Sequence, residues 1–157
     1  MNRFAAAPLA LILLVSGLVA CGGGGGDAPS KADFAASADE VCKSAEKALQ
    51  DVGQNASSPD EIAAAVDKVI AETQKSVDKL KDLERPDGDA GKAADKFVNA
   101  LQSDIEGKGI PALEALRDAL KANDQQAAQK AAQQLQAIET TNSDKLAREI
   151  GAKGCAD

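Results

Sequence analysis

The sequence predicts an all-α fold: an up-down-up-down four-helix bundle set behind an apolar N-terminal segment and a glycine-rich stretch. Three observations carry that prediction. Apolar residues recur at three- and four-residue steps through most of residues 31–150, the period of a helix with one buried face. Alanine is abundant, and it has the best intrinsic helix propensity. Short breaks at Gly53, Pro86 and Asn123 divide the periodic run, and links that short favour antiparallel neighbours.

The first helix is expected from about Lys31 to Val52, with Ser30 and Asp33 as a capping pair and Gly53 as its stop. Its stripe is Ala35, Ala38, Cys42, Ala45, Leu49 and Val52. The second opens on Ser58-Pro59-Asp60-Glu61, the clearest start signal in the chain: a capping Ser, Pro at the first helical position, and Glu three residues after the cap. Ile62, Val66, Val69, Thr73, Val77, Leu80 and Leu83 form its stripe, and Pro86 ends it. The third carries Ala90, Ala94, Phe97, Leu101 and Ile105, then Gly107-Lys108-Gly109-Ile110-Pro111, then Leu113, Leu116 and Leu120. Because the phase survives, a kink at Gly107–Pro111 is expected rather than two separate helices. The fourth is expected from about Asp124 to Ile150 as one helix, capped by Asn123 with Gln126 and stopped by Gly151. Its stripe places Asn142 on the buried side.

Composition narrows the function. His, Tyr and Trp are absent. The chain therefore lacks the side chain that ordinarily titrates near neutrality, and with it any Ser-His or Cys-His couple. Asp and Glu fall mostly on polar helix faces, so no catalytic role, cofactor or metal is expected. Asp87-Gly88-Asp89 lacks the Glu a calcium loop needs, since position 98 is Val. Gly91-Lys92 is followed by Ala93, not the Ser or Thr of a phosphate loop. Removing residues 1–20 takes away Arg3 and no acid, leaving 17 basic residues against 25 acidic. That balance argues against nucleic acid as a partner.

The N-terminus sets the location. Met1-Asn2-Arg3 precedes an apolar run from Phe4 to Val19 broken only by Pro8, Ser16 and Gly17. This is the pattern of a secretory signal, shorter than the ~18–20 residues of a bilayer span. Leu18-Val19-Ala20-Cys21 resembles the lipobox of bacterial lipoprotein precursors. The resemblance implies cleavage after Ala20, diacylglycerylation of the Cys21 thiol, and lipid anchoring at the extracytoplasmic face of the cell membrane. Three regions follow: a cleaved signal at 1–20, a lipidated Cys with a flexible tether at 21–30, and the helical body at 31–157. Nine residues of glycine-rich coil hold that body roughly 15–18 Å from the anchor.

With Cys21 acylated, Cys42 and Cys155 remain as an even pair in an exported chain, and a disulfide is the direct reading, set against two free buried thiols. The bond has a geometric condition. Cys42 lies ~15 Å below the Gly53 end of its helix, while the fourth helix descends ~40 Å from that same end. Either the tail turns back along the first helix, or that helix sits low in the bundle. Phe34, Ala38, Cys42, Leu83, Pro86, Gly151 and Cys155 also resemble a recurrent class of small exported actinobacterial lipoproteins. In that class Phe-x3-Ala-x3-Cys opens the helical body, L-x-x-P forms a hinge, and G-x3-C closes the chain. The class implies architecture and no chemistry.

Two further expectations concern the interior. Thr73, Ser76 and Asn142 fall at similar depth, ~20–27 Å from the shared end, and are expected to form one buried polar layer. Such a layer sets helix register; its functional alternative is a small polar ligand. Ala-rich stripes bring helices close and disfavour a large cavity. The overall expectation is an envelope interaction or structural module, anchored through lipid and meeting a protein partner. The alternative is a small-ligand or lipid-binding lipoprotein that opens at the Gly107–Pro111 kink.

Overall fold

The computed structural model describes residues 28–50, 52 and 56–156. Leu18 to Cys21, the body of the tether and Gly53 lie outside the described residues, as do the expectations attached to them. The described chain is all-helical and contains no strand. Its elements are α1 (Lys31–Gln50), α2 (Pro59–Asp82), α3 (Gly88–Asp104), a π-helical turn (Ile105–Gly109), α4 (Ile110–Lys121), α5 (Gln125–Gln136) and α6 (Thr141–Ile150). A 3₁₀ turn, Lys153–Cys155, follows.

The start signals read from the sequence operate as hydrogen bonds. At α1 the Ser30 hydroxyl accepts from the Asp33 amide, and the Asp33 carboxylate accepts from the Ser30 amide, each at 3.2 Å. At α2 the Glu61 amide donates to Ser58 Oγ, and Glu61 Oε2 accepts from the Ser58 amide at 3.0 Å. Both carboxylates are held below their ordinary pKa. Bonds from Ser30 do this for Asp33; for Glu61 the Ser57 amide contributes most. The α2 stripe is turned from the expected one: Ala63 is fully buried, whereas Ile62 is exposed.

α2 stops short of Pro86, and Arg85 closes it. The guanidinium donates to the carbonyls of Leu80 and Leu83, groups that a helix end leaves unpaired. It also pairs with Asp95 at 3.0 Å and stacks 5.3 Å over the Phe34 ring. α3 then turns tightly back. A Cβ at Gly91 would sit 2.1 Å from the Pro86 carbonyl oxygen, so only glycine admits this approach.

The third helical stretch continues through the Gly107–Pro111 region as a π turn. The Ile110 amide donates to the carbonyl of Ile105, one residue further back than in an α-helix. This widened turn accommodates Pro111, which lacks a donor and would crowd the carbonyl of Gly107 in α geometry.

The fourth stretch departs from expectation. It is two helices, broken at 137–140. Ile138 and Thr140 are poor helix formers, and Thr140 instead supports a new start. Its hydroxyl donates to Asp144 Oδ2 at 2.9 Å, and its carbonyl accepts from the Asp144 amide at 2.8 Å. The N-cap also moves by one residue. Asn123 is left-handed at φ 54°, and Asp124 caps α5 by accepting from the Ala127 amide.

Two cores result. The larger is built on Phe34 and Phe97, 1% and 0% exposed, with Ala38, Leu80, Val98, Ala147 and Ile150 around them. The smaller gathers Val66, Ile70 and Ile110, flanked by half-buried Ile105, Leu113, Leu116 and Leu120. α3 packs on α6, and α1 on α2, in the first; α4 packs on both α2 and α5 in the second.

Cys42 and Cys155 are bonded, with their Cα atoms 5.3 Å apart. The tail meets the geometric condition by turning back along α1. Gly151, at φ 97°, ends α6 beside Ala35. The Gly154 amide donates to Asp39 Oδ1 at 2.8 Å, and Arg148 holds the Ala156 carbonyl at 2.8 Å.

Candidate functional site

α1 leans on α2 far more than on α3, and a cleft opens between its C-terminal half and α3. Its volume is about 580 Å³, within the range of ligand sites. Val41, Ala45 and Leu49 of α1 form one wall, and Leu101 with Ile105 forms the opposite wall. Val77 and Leu80 of α2 make a buried floor. Gly154 and the Cys42–Cys155 bridge close the lower end.

The cleft departs from the expectation that Ala-rich packing disfavours a large cavity. Side-chain size supplies the reason. Both aromatic residues of the body fill the lower core. Above them α1 offers Ala45 and α2 offers Thr73 and Ser76, none large enough to reach α3. The site is therefore apolar on two walls and floor, with two hydroxyl groups on the α2 side. Ser76 spends its proton on the Glu72 carbonyl, 2.8 Å away. Lys43 and Glu46 stand exposed at the rim. This arrangement suits hydrocarbon with one polar end; it places no nucleophile beside a base. Among the described residues no group of three or more Asp, Glu or Cys side chains is disposed to hold a metal ion.

The expected polar layer does not assemble. Thr73 and Ser76 are half-buried on the cleft, while Asn142 is exposed on α6. The break at 137–140 shifts the helical phase by one residue, so Ser143 faces inward, fully buried. Ser143 Oγ lies 2.9 Å from Asp104 Oδ2 and 2.9 Å from the Thr140 carbonyl. Asp104, 9% exposed, also accepts from Lys108 Nζ at 2.7 Å. The Lys108 bond, assisted by Ser143 and opposed by burial, keeps its carboxyl below the ordinary range.

This pair carried a sequence signal. Ala94, Phe97, Leu101 and Asp104 follow three- and four-residue steps, as do Ser143, Ala147 and Ile150. The competing phase through Ile105, Asn142 and Leu146 is more apolar and hides it. Near Gly107–Pro111 itself lies a second depression, of about 390 Å³, between Lys108, Pro111, Ala112, Gln134 and Ile138. The larger cleft meets that region only at Ile105, where the π turn begins.

Comparison with protein-family models, with curated proteins and with solved structures finds no match.

Proposed function

We propose that the protein is a membrane-anchored extracytoplasmic lipoprotein. Its up-down-up-down helical body would act as an interaction or structural module of the cell envelope. One observation carries the reading: Leu18-Val19-Ala20-Cys21 stands just ahead of a body whose other two cysteines bond each other. A disulfide suits an oxidising compartment outside the cytosol, and it leaves Cys21 as the one thiol for acylation. α1 begins ten residues after Cys21, beside the lower core. Two acyl chains on Cys21 give stable membrane attachment. Metabolic labelling with a fatty-acid analogue tests this. Incorporation into the wild-type chain and its loss in Cys21→Ala are the expected results; labelling of Cys21→Ala, or none of the wild type, contradicts the reading.

A second reading rests on the cleft beside the disulfide. Its apolar walls, hydroxyl-bearing α2 side and volume of about 580 Å³ favour a small amphiphile. A ligand that binds only the folded chain raises its unfolding midpoint. A thermal-shift series of fatty acids and lysolipids on the mature chain, repeated on Ala45→Phe to fill the cleft, measures it. Shifts that vanish in Ala45→Phe support the site; shifts equal in both chains, or none, reject it.

A further inference from the structure

Two irregular segments, far apart in the chain, meet at one level of the fold. Asp104 is the last residue of α3, directly before the π turn. Ser143, its hydrogen-bond partner, lies in the first turn of α6, directly after the 137–140 break. Everything between those two points is the α4–α5 hairpin. Both of its roots are therefore non-α backbone, and a single buried carboxylate pins them side by side. α2 is one unbroken helix from Pro59 to Asp82.

The core divides at the same place. Below it lie both Phe residues, the disulfide and the docked tail. The hairpin sits on the smaller upper cluster of Val66, Ile70 and Ile110, and the other buried residues of α4 are the small Ala112 and Ala119. α5 buries only Ala131. The hairpin's polar ties to α2 come from α4: Arg117 and Lys121 pair with Asp67 at 3.3 and 3.1 Å, with half-exposed partners. Pairs of that kind hold weakly.

We infer that the α4–α5 hairpin is a separately opening unit: it lifts from α2 about the Ile105–Gly109 turn and the 137–140 break while the disulfide half stays closed. Local units of this kind open at lower free energy than the whole fold. Ile105 belongs both to the upper cluster and to the cleft wall, so the opening also moves one side of the cleft. Such opening depends on the packing and backbone of the body and not on the proposed anchoring.

Native-state hydrogen exchange on the disulfide-intact mature chain tests it. Amides of α4 and α5 are expected to exchange at least tenfold faster than the slowest amides of α1 and α3. Phe97→Leu is expected to accelerate the slow amides of α1, α3 and α6 about tenfold while leaving α4–α5 unchanged, because hairpin opening does not expose Phe97. Gly107→Ala supplies a second variant that leaves the cores untouched. Gly107 is exposed, and a methyl group there meets nothing within 4 Å. By stiffening the hinge it is expected to slow α4–α5 exchange about two- to fivefold and leave α1 and α3 unchanged. Equal acceleration of both halves by Phe97→Leu would overturn the inference. So would α4–α5 amides that match the slowest in the wild type, or a Gly107→Ala chain with unaltered hairpin exchange.

Discussion

The two halves of this molecule are closed by different means. The half built from α1, α3, α6 and the tail has two buried aromatic rings, a disulfide and an arginine that ties a helix end to one of those rings. The half built from α4, α5 and the start of α2 has Val66, Ile70 and Ile110 as its larger buried side chains, with the small Ala63, Ala112, Ala119 and Ala131 and ion pairs at the surface. Composition explains the asymmetry. With two aromatic residues available to the body, placing both at one end leaves the other to Val, Ile and Leu. The larger buried side chains are therefore concentrated at the disulfide end, and the smaller ones at the other.

The sharpest break of that contrast is Phe97→Ala. A fully buried Phe costs about 3–5 kcal/mol when truncated, more than any single truncation in the upper cluster. Urea unfolding of Phe97→Ala beside Leu116→Ala measures both, and the second is expected to cost less than half as much. Next is the disulfide. Replacing Cys42 and Cys155 together with Ser is expected to cost about 2–4 kcal/mol, read as a fall in thermal midpoint under non-reducing conditions. Ser143→Ala comes third. It removes one partner from a buried carboxylate, at a cost of about 1–3 kcal/mol by the same urea measurement.

Acidity gives a smaller, graded effect. Asp104 is held low chiefly by Lys108, and Asp67 chiefly by Lys121. A carboxyl with a lower pKa in the folded chain contributes stability that is complete above its unfolded value. That stability is lost as pH falls through the folded value. The chain has no His to titrate between pH 5 and 8. The thermal midpoint is therefore expected to stay level across that range and to fall below about pH 4. The smallest effect belongs to Asn142→Leu, within about 0.5 kcal/mol, because Asn142 is exposed. A stabilisation above 1 kcal/mol would put Asn142 in a core, contrary to the structure.

The helical class and the caps at Ser30 and Ser58 were legible in the sequence because they rest on local rules: short-range hydrogen bonds and a 3.6-residue period. The Cys42–Cys155 pairing was legible for another reason, since three cysteines with one assigned leave a single pair. The break at 137–140 was not. Ala137-Ile138-Glu139-Thr140 keeps the apolar phase that a continuous helix would show; the weak helix propensity from Ile138 to Ser143 was a hint, and the rival bonds made by Thr140 turn it into an interruption. Once that phase slipped, Asn142 and Ser143 exchanged places, and the expected polar layer gave way to the Ser143–Asp104 pair. The cleft escaped for a related reason. Alanine at 45 signals close packing only when the facing helix comes near, and where α3 stands off, the same small residue leaves a space.

The proposed assignment of one sulfur atom to an acyl anchor and two to a bridge is read in one measurement, intact mass spectrometry of the chain from the membrane fraction, without reductant. The predicted mass begins at Cys21, carries the added acyl groups, and rises by two hydrogens on reduction as the Cys42–Cys155 bridge opens. A mass that still includes Met1, that lacks the acyl groups, or that does not change on reduction would contradict it.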